Sequence, residues 1–133
     1  MKTIPLILLA IISLGAAAFA QEKIADFGER EFKANCAVCH GEDAKGNGIL
    51  VSGLKVAPPD LTLLAKKNGG VFPIKHMYDV IDGRAQIAVH GSRDMPIWGT
   101  RYSTDAPENY NQAVYVRTRI LNLIDYLHRV QQK

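Results

Sequence analysis

Two cysteines and a histidine stand close together in the run Cys36-Ala37-Val38-Cys39-His40. This C-x-x-C-H spacing is the attachment pattern of c-type haem. Thiols one turn apart can form thioether bonds to the two vinyl groups of a haem, and the histidine that follows is positioned to bind the iron. A redox disulfide would need a thioredoxin-like βαβ pattern, a zinc site would need a second cysteine pair, and a buried structural pair would not need His40. The motif therefore predicts one covalently bound haem c, with His40 as an axial ligand.

The other axial position of such an iron needs a second side chain. The candidates are Met77, Met95, His76, His90 and His128. Met95 directly precedes Pro96, which stiffens a segment that also contains Gly99 and is predicted to be an ordered loop. We therefore predict Met95 as the second ligand, with His90 just upstream as the alternative. A His/Met pair raises the reduction potential relative to two histidines, because the soft thioether favours ferrous iron.

Two of the candidate ligands have simpler explanations. The stretch from Pro73 to Ile81 predicts a short helix that ends at Gly83, so Met77 is expected to pack in the core. His128 falls on the predicted last helix and is expected to be exposed.

The flanks of the motif carry a family resemblance. Gly28, Phe32 and Cys36 fall at four-residue steps on one helical face, and Leu123 and Tyr126 stand near the C-terminus. Together with the motif, these residues resemble those of the class I c-type cytochromes, over essentially the whole of residues 21–133. The resemblance implies an all-α cytochrome c fold with long loops, in which N- and C-terminal helices cross over a covalently bound haem.

The resemblance also implies a hydrogen-bond partner for His40, and two further residues are weaker candidates for contacts with the haem. The Pro59 carbonyl is expected to accept a hydrogen bond from His40, with Pro58 as the alternative. Trp98 could pack on the haem or donate to a propionate, although plain core packing would equally explain it. Arg84 could pair with a propionate, although an exposed arginine is the simpler interpretation.

The ends of the chain predict helices without any resemblance. Glu29 and Lys33 are spaced for an i,i+4 ion pair within a stretch from Asp26 to Ala37 that has no proline. An amphipathic last helix is predicted with Asp105 as a possible cap and Pro107 near its start. Its apolar residues are Val116, Ile120, Leu123, Ile124, Leu127 and Val130. Between the ends, Asp60 is expected to cap a helix that extends to Lys67 and stops at Gly69-Gly70.

Composition bounds the class of protein. The chain has 133 residues, 47% of them hydrophobic and 22% charged, with a net charge of +3 and two cysteines. These values indicate one globular domain and exclude a disordered chain, a nucleic-acid binder and a disulfide-dense scaffold.

The first twenty residues form a separate segment. Lys2, the aliphatic run from Ile4 to Leu14 and the exit Ala18-Phe19-Ala20 predict a signal peptide over residues 1–20, cleaved after Ala20; an uncleaved anchor is the alternative. Residues 21–133 would then form a monohaem cytochrome c domain with no membrane-spanning segment, located in a bacterial periplasm.

The predicted function is electron transfer by a soluble carrier that exchanges electrons with a donor dehydrogenase and an acceptor oxidase or reductase. The alternatives are the cytochrome subunit of a periplasmic oxidoreductase and a gas- or peroxide-binding haem protein, which would need an open axial position. Either a monomer or a subunit of a complex is compatible with the sequence. Residues 44–101 hold eight lysines and arginines against four acids, so a weakly basic docking surface with modest salt dependence is expected.

Overall fold

The computed structural model describes residues 26–83 and 95–133. Within these ranges the chain forms six α-helices and no strand, which agrees with the predicted all-α class. The helices are α1 (Phe27–Asn35), α2 (Ala37–His40), α3 (Leu64–Lys67), α4 (Ile74–Asp82), α5 (Trp98–Thr104) and α6 (Gln112–Arg129), with 3-10 turns at Val51–Gly53 and Leu61–Leu63. None of the helices in the described ranges is long and apolar enough to cross a membrane. The predicted signal peptide, Arg84 and His90 lie outside the described residues.

Helix α1 begins where a side chain can satisfy its first free backbone donors. The Asp26 carboxylate accepts a hydrogen bond from the Glu29 backbone N–H at 2.9 Å, as an N-cap does. One turn later, the Lys33 ammonium donates to the Glu29 carboxylate at 2.8 Å, so the predicted i,i+4 pair is confirmed.

The first and last helices pack against each other at Gly28. A Cβ atom at this position would collide with the Asn122 carbonyl oxygen and would lie 2.9 Å from the Tyr126 Cβ. Next to this contact, the rings of Phe32 and Tyr126 have their centroids 5.2 Å apart, and Leu123 is buried beside them. The absence of a side chain at Gly28 thus lets α1 and α6 approach closely, and the predicted helix crossing is confirmed.

Helices α4 and α5 pack together through two glycines. Gly83 ends α4 in the left-handed conformation, with φ 92°, and Met77 is buried as predicted. The segment after Pro96 differs from the expected loop, because α5 starts at Trp98 and includes Gly99. A Cβ at Gly99 would meet the Asp82 carboxylate and carbonyl, so this glycine serves a close helix contact and not a turn.

The start of the last helix also differs from the prediction. Asp105 is the C-cap of α5, and Pro107 precedes a turn in which its carbonyl accepts from the Tyr110 N–H at 2.9 Å. The actual N-cap of α6 is Asn111, whose side chain accepts from the Val114 N–H at 3.1 Å. Asn and Asp are equally good N-caps. Asn111 starts the helix because the apolar pattern of α6 follows it directly.

Candidate haem site

The two cysteines lie three residues apart on a tight helical turn. Helix α1 gives way to α2 at Cys36, whose carbonyl accepts hydrogen bonds from the N–H groups of Cys39 at 3.1 Å and His40 at 2.9 Å. Both thiols are free and half-buried. Burial, with smaller contributions from Glu31 and Cys39, raises the pKa of the Cys36 thiol to about 12. The geometry presents two free thiols and one imidazole within a single turn.

The imidazole of His40 is partly buried. Its Nδ1 atom is buried and has no hydrogen-bond partner among residues 26–83 and 95–133. Burial lowers the pKa of this imidazole, because the charged form is poorly solvated there. His40 is therefore a neutral ring at neutral pH, which is the form that can bind a metal.

A short loop after His40 closes back over the motif. The Gly46 N–H donates to the His40 carbonyl at 2.8 Å, and the Gly48 N–H donates to the Cys39 carbonyl at 3.1 Å. The buried Ala44 adopts φ 60°, and its carbonyl accepts from the Leu61 N–H at 2.8 Å. The loop thus connects the motif to the segment that contains the two prolines.

The two prolines lie against this loop. A Cβ at Gly46 would collide with the Pro58 carbonyl oxygen and lie 3.3 Å from the Pro59 carbonyl carbon. Within the described part of the chain, the expected hydrogen bond from His40 to Pro59 is not formed. Pro59 therefore lies close to the loop that follows His40, without a direct bond to the His40 ring.

Met95 and Trp98 lie at the entrance to α5. Met95 is half-buried and packs against the same apolar core as Cys36. Trp98 is buried, and its ring centroid lies 5.7 Å from that of Tyr102. The core thus brings the predicted methionine ligand and the first cysteine to one cluster, with Trp98 packed in that cluster.

These residues fit a covalently bound haem. The donor set that such a group requires is present: two free thiols one turn apart, a buried imidazole nitrogen without a partner and a half-buried methionine.

The family model described as "Cytochrome C oxidase, cbb3-type, subunit III" matches residues 24–114. The chain belongs to this family of c-type cytochrome domains. The predicted resemblance is thereby confirmed, and membership implies haem binding.

The comparisons with curated proteins and with solved structures find no match. The range matched by the family includes every predicted site residue of the cytochrome domain but stops within α6. The crossing of α1 and α6, which involves Asn122 and Tyr126, is therefore supplied by the structure and not by the family match.

Sequence reasoning missed one ionic cluster of this cytochrome domain. Arg119 donates two hydrogen bonds of 2.8 Å from one nitrogen to the Glu31 carboxylate, and its guanidinium lies 4.0 Å from the Tyr102 ring centroid. Burial and the nearby Glu31 raise the pKa of Tyr102. Glu31 and Arg119 are 88 residues apart, so no local spacing could have revealed a cluster that joins α1, α5 and α6.

Two cavities among the described residues lie away from the motif's sulfur atoms. One, of about 650 Å³, lies between α4, α5 and the start of α6. The other, of about 560 Å³, is lined by Ala37, Val38 and the loop residues 41–43 and 47–49. Neither is lined by Cys36, Cys39 or Met95, so the candidate haem site rests on its donor side chains and not on a cavity.

Proposed function

We propose that this protein is a periplasmic electron carrier with a single haem c, attached covalently at Cys36 and Cys39 and bound axially by His40 and Met95. The observation that carries the proposal is the turn from Cys36 to His40, which holds two free thiols and the neutral imidazole within five residues. Family membership supports it, because the matched range includes this turn.

Each residue has a separate task in this proposal. When bound, the haem supplies a one-electron ferric–ferrous couple. Cys36 and Cys39 fix it to the turn, so that it is retained in both oxidation states. His40 would bind the iron through its imidazole, whose Nδ1 is buried, and the thioether of Met95 would favour the reduced state.

A carrier is favoured over a catalyst because both axial positions would be taken by protein side chains. With His40 and Met95 both bound, no coordination position remains for a substrate, a gas or a peroxide. Electron transfer then requires little more than a tuned iron and a surface on which a partner can dock.

Exposed apolar side chains near Cys39 support docking of redox partner proteins. Val38, Ile49 and Leu50 are 40%, 84% and 51% exposed, and the Leu50 N–H donates to the Val38 carbonyl at 3.0 Å. Contiguous apolar surface of this kind marks interaction sites. Nearby, Lys45 pairs with Asp43 at 3.6 Å, which leaves the rim only weakly basic.

A second candidate function is that of a cytochrome subunit in a membrane-bound oxidoreductase complex. The family description, which names a subunit of an oxidase, favours it. Both functions share the haem site, and both are consistent with a signal peptide at residues 1–20 followed by a cytochrome domain at residues 21–133. Fractionation separates them, since a free carrier is recovered in the periplasmic fraction and a subunit remains with membranes.

The decisive experiment compares two methionine variants of the purified, haem-loaded protein. Met95→Ala should abolish the methionine–iron charge-transfer band, lower the reduction potential and open the iron to carbon monoxide. Met77→Ala is the matched control, because Met77 is buried in α4 and should affect stability without changing the spectrum.

Three results would count against the proposal. They are a protein that lacks covalently bound haem, an unchanged spectrum in Met95→Ala, and fast, complete carbon monoxide binding by the reduced wild-type protein.

A further inference from the structure

The ion pair of Glu31 and Arg119 lies inside the protein, between the first and the last helix. Two hydrogen bonds of 2.8 Å and one of 3.2 Å join the Arg119 guanidinium to the Glu31 carboxylate. The two side chains are only 15% and 22% exposed. The Asn35 side-chain amide donates a further bond to the same carboxylate, at 2.7 Å. These bonds hold one negative and one positive charge at fixed positions with little contact to water.

Aromatic side chains lie against the guanidinium of Arg119. Its central carbon is 4.0 Å from the ring centroid of Tyr102 and 5.6 Å from that of Tyr115. Tyr102 is fully buried and keeps water from that side of the pair. A second carboxylate, that of Asp105, lies 3.4 Å from Arg119 but is 46% exposed. Solvent and salt therefore screen the charges of Glu31 and Arg119 much less than they screen charges at the surface.

The negative end of the pair lies on the helix that leads to the first cysteine. Glu31 precedes Cys36 by five residues, and the Cys36 N–H still donates to the Phe32 carbonyl at 2.8 Å, as in a continuing helix. Burial is the main cause that raises the pKa of the Cys36 thiol, and the charge of Glu31 adds to it. The field of the Glu31 carboxylate therefore reaches the point at which the haem would be attached.

We propose that the Glu31 carboxylate lowers the reduction potential of the haem iron through its charge, and that Arg119 limits this effect by neutralising part of that charge. This inference rests on the proposed function as a haem-binding electron carrier. Reduction moves one electron from the redox partner to the iron and lowers the positive charge there by one unit. A nearby anion favours the more positive ferric state and a nearby cation favours the ferrous state, so the two partners act in opposite directions.

The test uses optical redox titration of the full-length, haem-loaded protein and three variants. Glu31→Gln removes the anion with little change in size, Arg119→Gln removes the cation, and the double variant removes both. Urea unfolding of the same samples measures the structural cost separately, because both single variants break the same ion pair and should be less stable than the wild-type protein.

The two single variants should shift the reduction potential in opposite directions. At the wild-type midpoint, the ratio of reduced to oxidised protein should rise about fivefold in Glu31→Gln, a Coulomb effect of the size expected for one partly buried charge. The same ratio should fall in Arg119→Gln, and the double variant should lie between the two. If Arg119→Gln does not accumulate, the potentials of Glu31→Gln and of the double variant decide the question.

The matched controls are Glu29→Gln and Lys33→Gln. They make the same changes of charge in a pair on the same helix that is joined at 2.8 Å but is more exposed, at 29% for Glu29 and 50% for Lys33. Since solvent screens such a pair, each control should shift the potential by much less than the matching core variant.

A purely structural role of the pair predicts a different result. Loss of the bonds between α1 and α6 would then shift the potential in the same direction in both single variants, and this outcome would overturn the inference. Shifts no larger than those of the two controls would also overturn it. Failure of the proposed function is distinguishable, since the wild-type protein would then lack covalent haem or Met95→Ala would leave the spectrum unchanged.

Discussion

Replacing Gly28 with alanine tests the helix crossing most directly. The added methyl would collide with the Asn122 carbonyl oxygen and would also lie 2.9 Å from the Asn122 carbonyl carbon and the Tyr126 Cβ. Because the obstacle is helix backbone, no side-chain rotation can relieve it. Helices α1 and α6 must separate instead, by about 1 Å to restore van der Waals distances.

The cost follows from two opposing effects. Overpacking of this kind costs about 1–3 kcal/mol, with the upper end expected where backbone must move. Alanine in place of glycine within a helix offsets about 1 kcal/mol of this. We expect a net loss of about 2 kcal/mol, because separation also weakens the contact between Phe32 and Tyr126.

The assay is urea unfolding of the haem-loaded protein, followed by circular dichroism and by the fluorescence of its one tryptophan, Trp98. The midpoint should fall by about 1 M with an unchanged m-value. Gly53→Ala is the control, since a Cβ there has nothing within 4 Å, and it should leave stability unchanged or slightly improved. Equal stability of the two variants would refute the steric account of the crossing.

Two further predictions concern the N-cap of α1 and its ion pairs. The Glu29 backbone N–H, together with Arg129, holds the pKa of Asp26 below 3.8. Asp26→Asn should therefore reduce the free energy of unfolding above pH 3.8, and this loss should disappear as the pH falls below that value. Unfolding curves recorded across this pH range measure the difference between the two proteins, and a pH-independent difference would contradict the assignment. Arg119→Lys should lower the free energy of unfolding by about 1–2 kcal/mol, because a lysine cannot reproduce the forked bond to Glu31. Lys33→Gln removes an exposed pair and should have a much smaller effect in the same unfolding assay. Comparable losses in the two variants would contradict this ranking.

Sequence patterns predicted the elements that depend on local chemistry. The i,i+4 pair of Glu29 and Lys33 and the helix that buries Met77 and ends at Gly83 follow from residue types at short spacing, whereas the crossing at Gly28 was implied by the family resemblance. His128 is exposed as expected, and it also stacks on Phe72, with ring centroids 5.0 Å apart. For these local features the prediction agrees with the structure, because a single residue or a single helix face determines each of them.

The errors arose where tertiary packing decides. Gly99 suggested a loop, but it lies within α5. A glycine is required there because a Cβ at position 99 would collide with Asp82. Asp105 and Asn111 are both good N-cap residues, but the turn that begins at Pro107 separates Asp105 from the last helix, so Asn111 caps α6. The bonds of Gln131 join residues about 70 positions apart, for which sequence spacing gives no signal.

The contact between Gly28 and Asn122 also constrains the order in which the molecule can form. A chain made from its N-terminus contains Cys36 and Cys39 long before residue 122 is added. Pairing across so large a sequence separation is slow, because loop closure must precede any gain from contact. The proposed attachment of haem to Cys36 and Cys39 would therefore have an interval, before α6 packs against α1, in which the turn that carries both thiols lacks this contact.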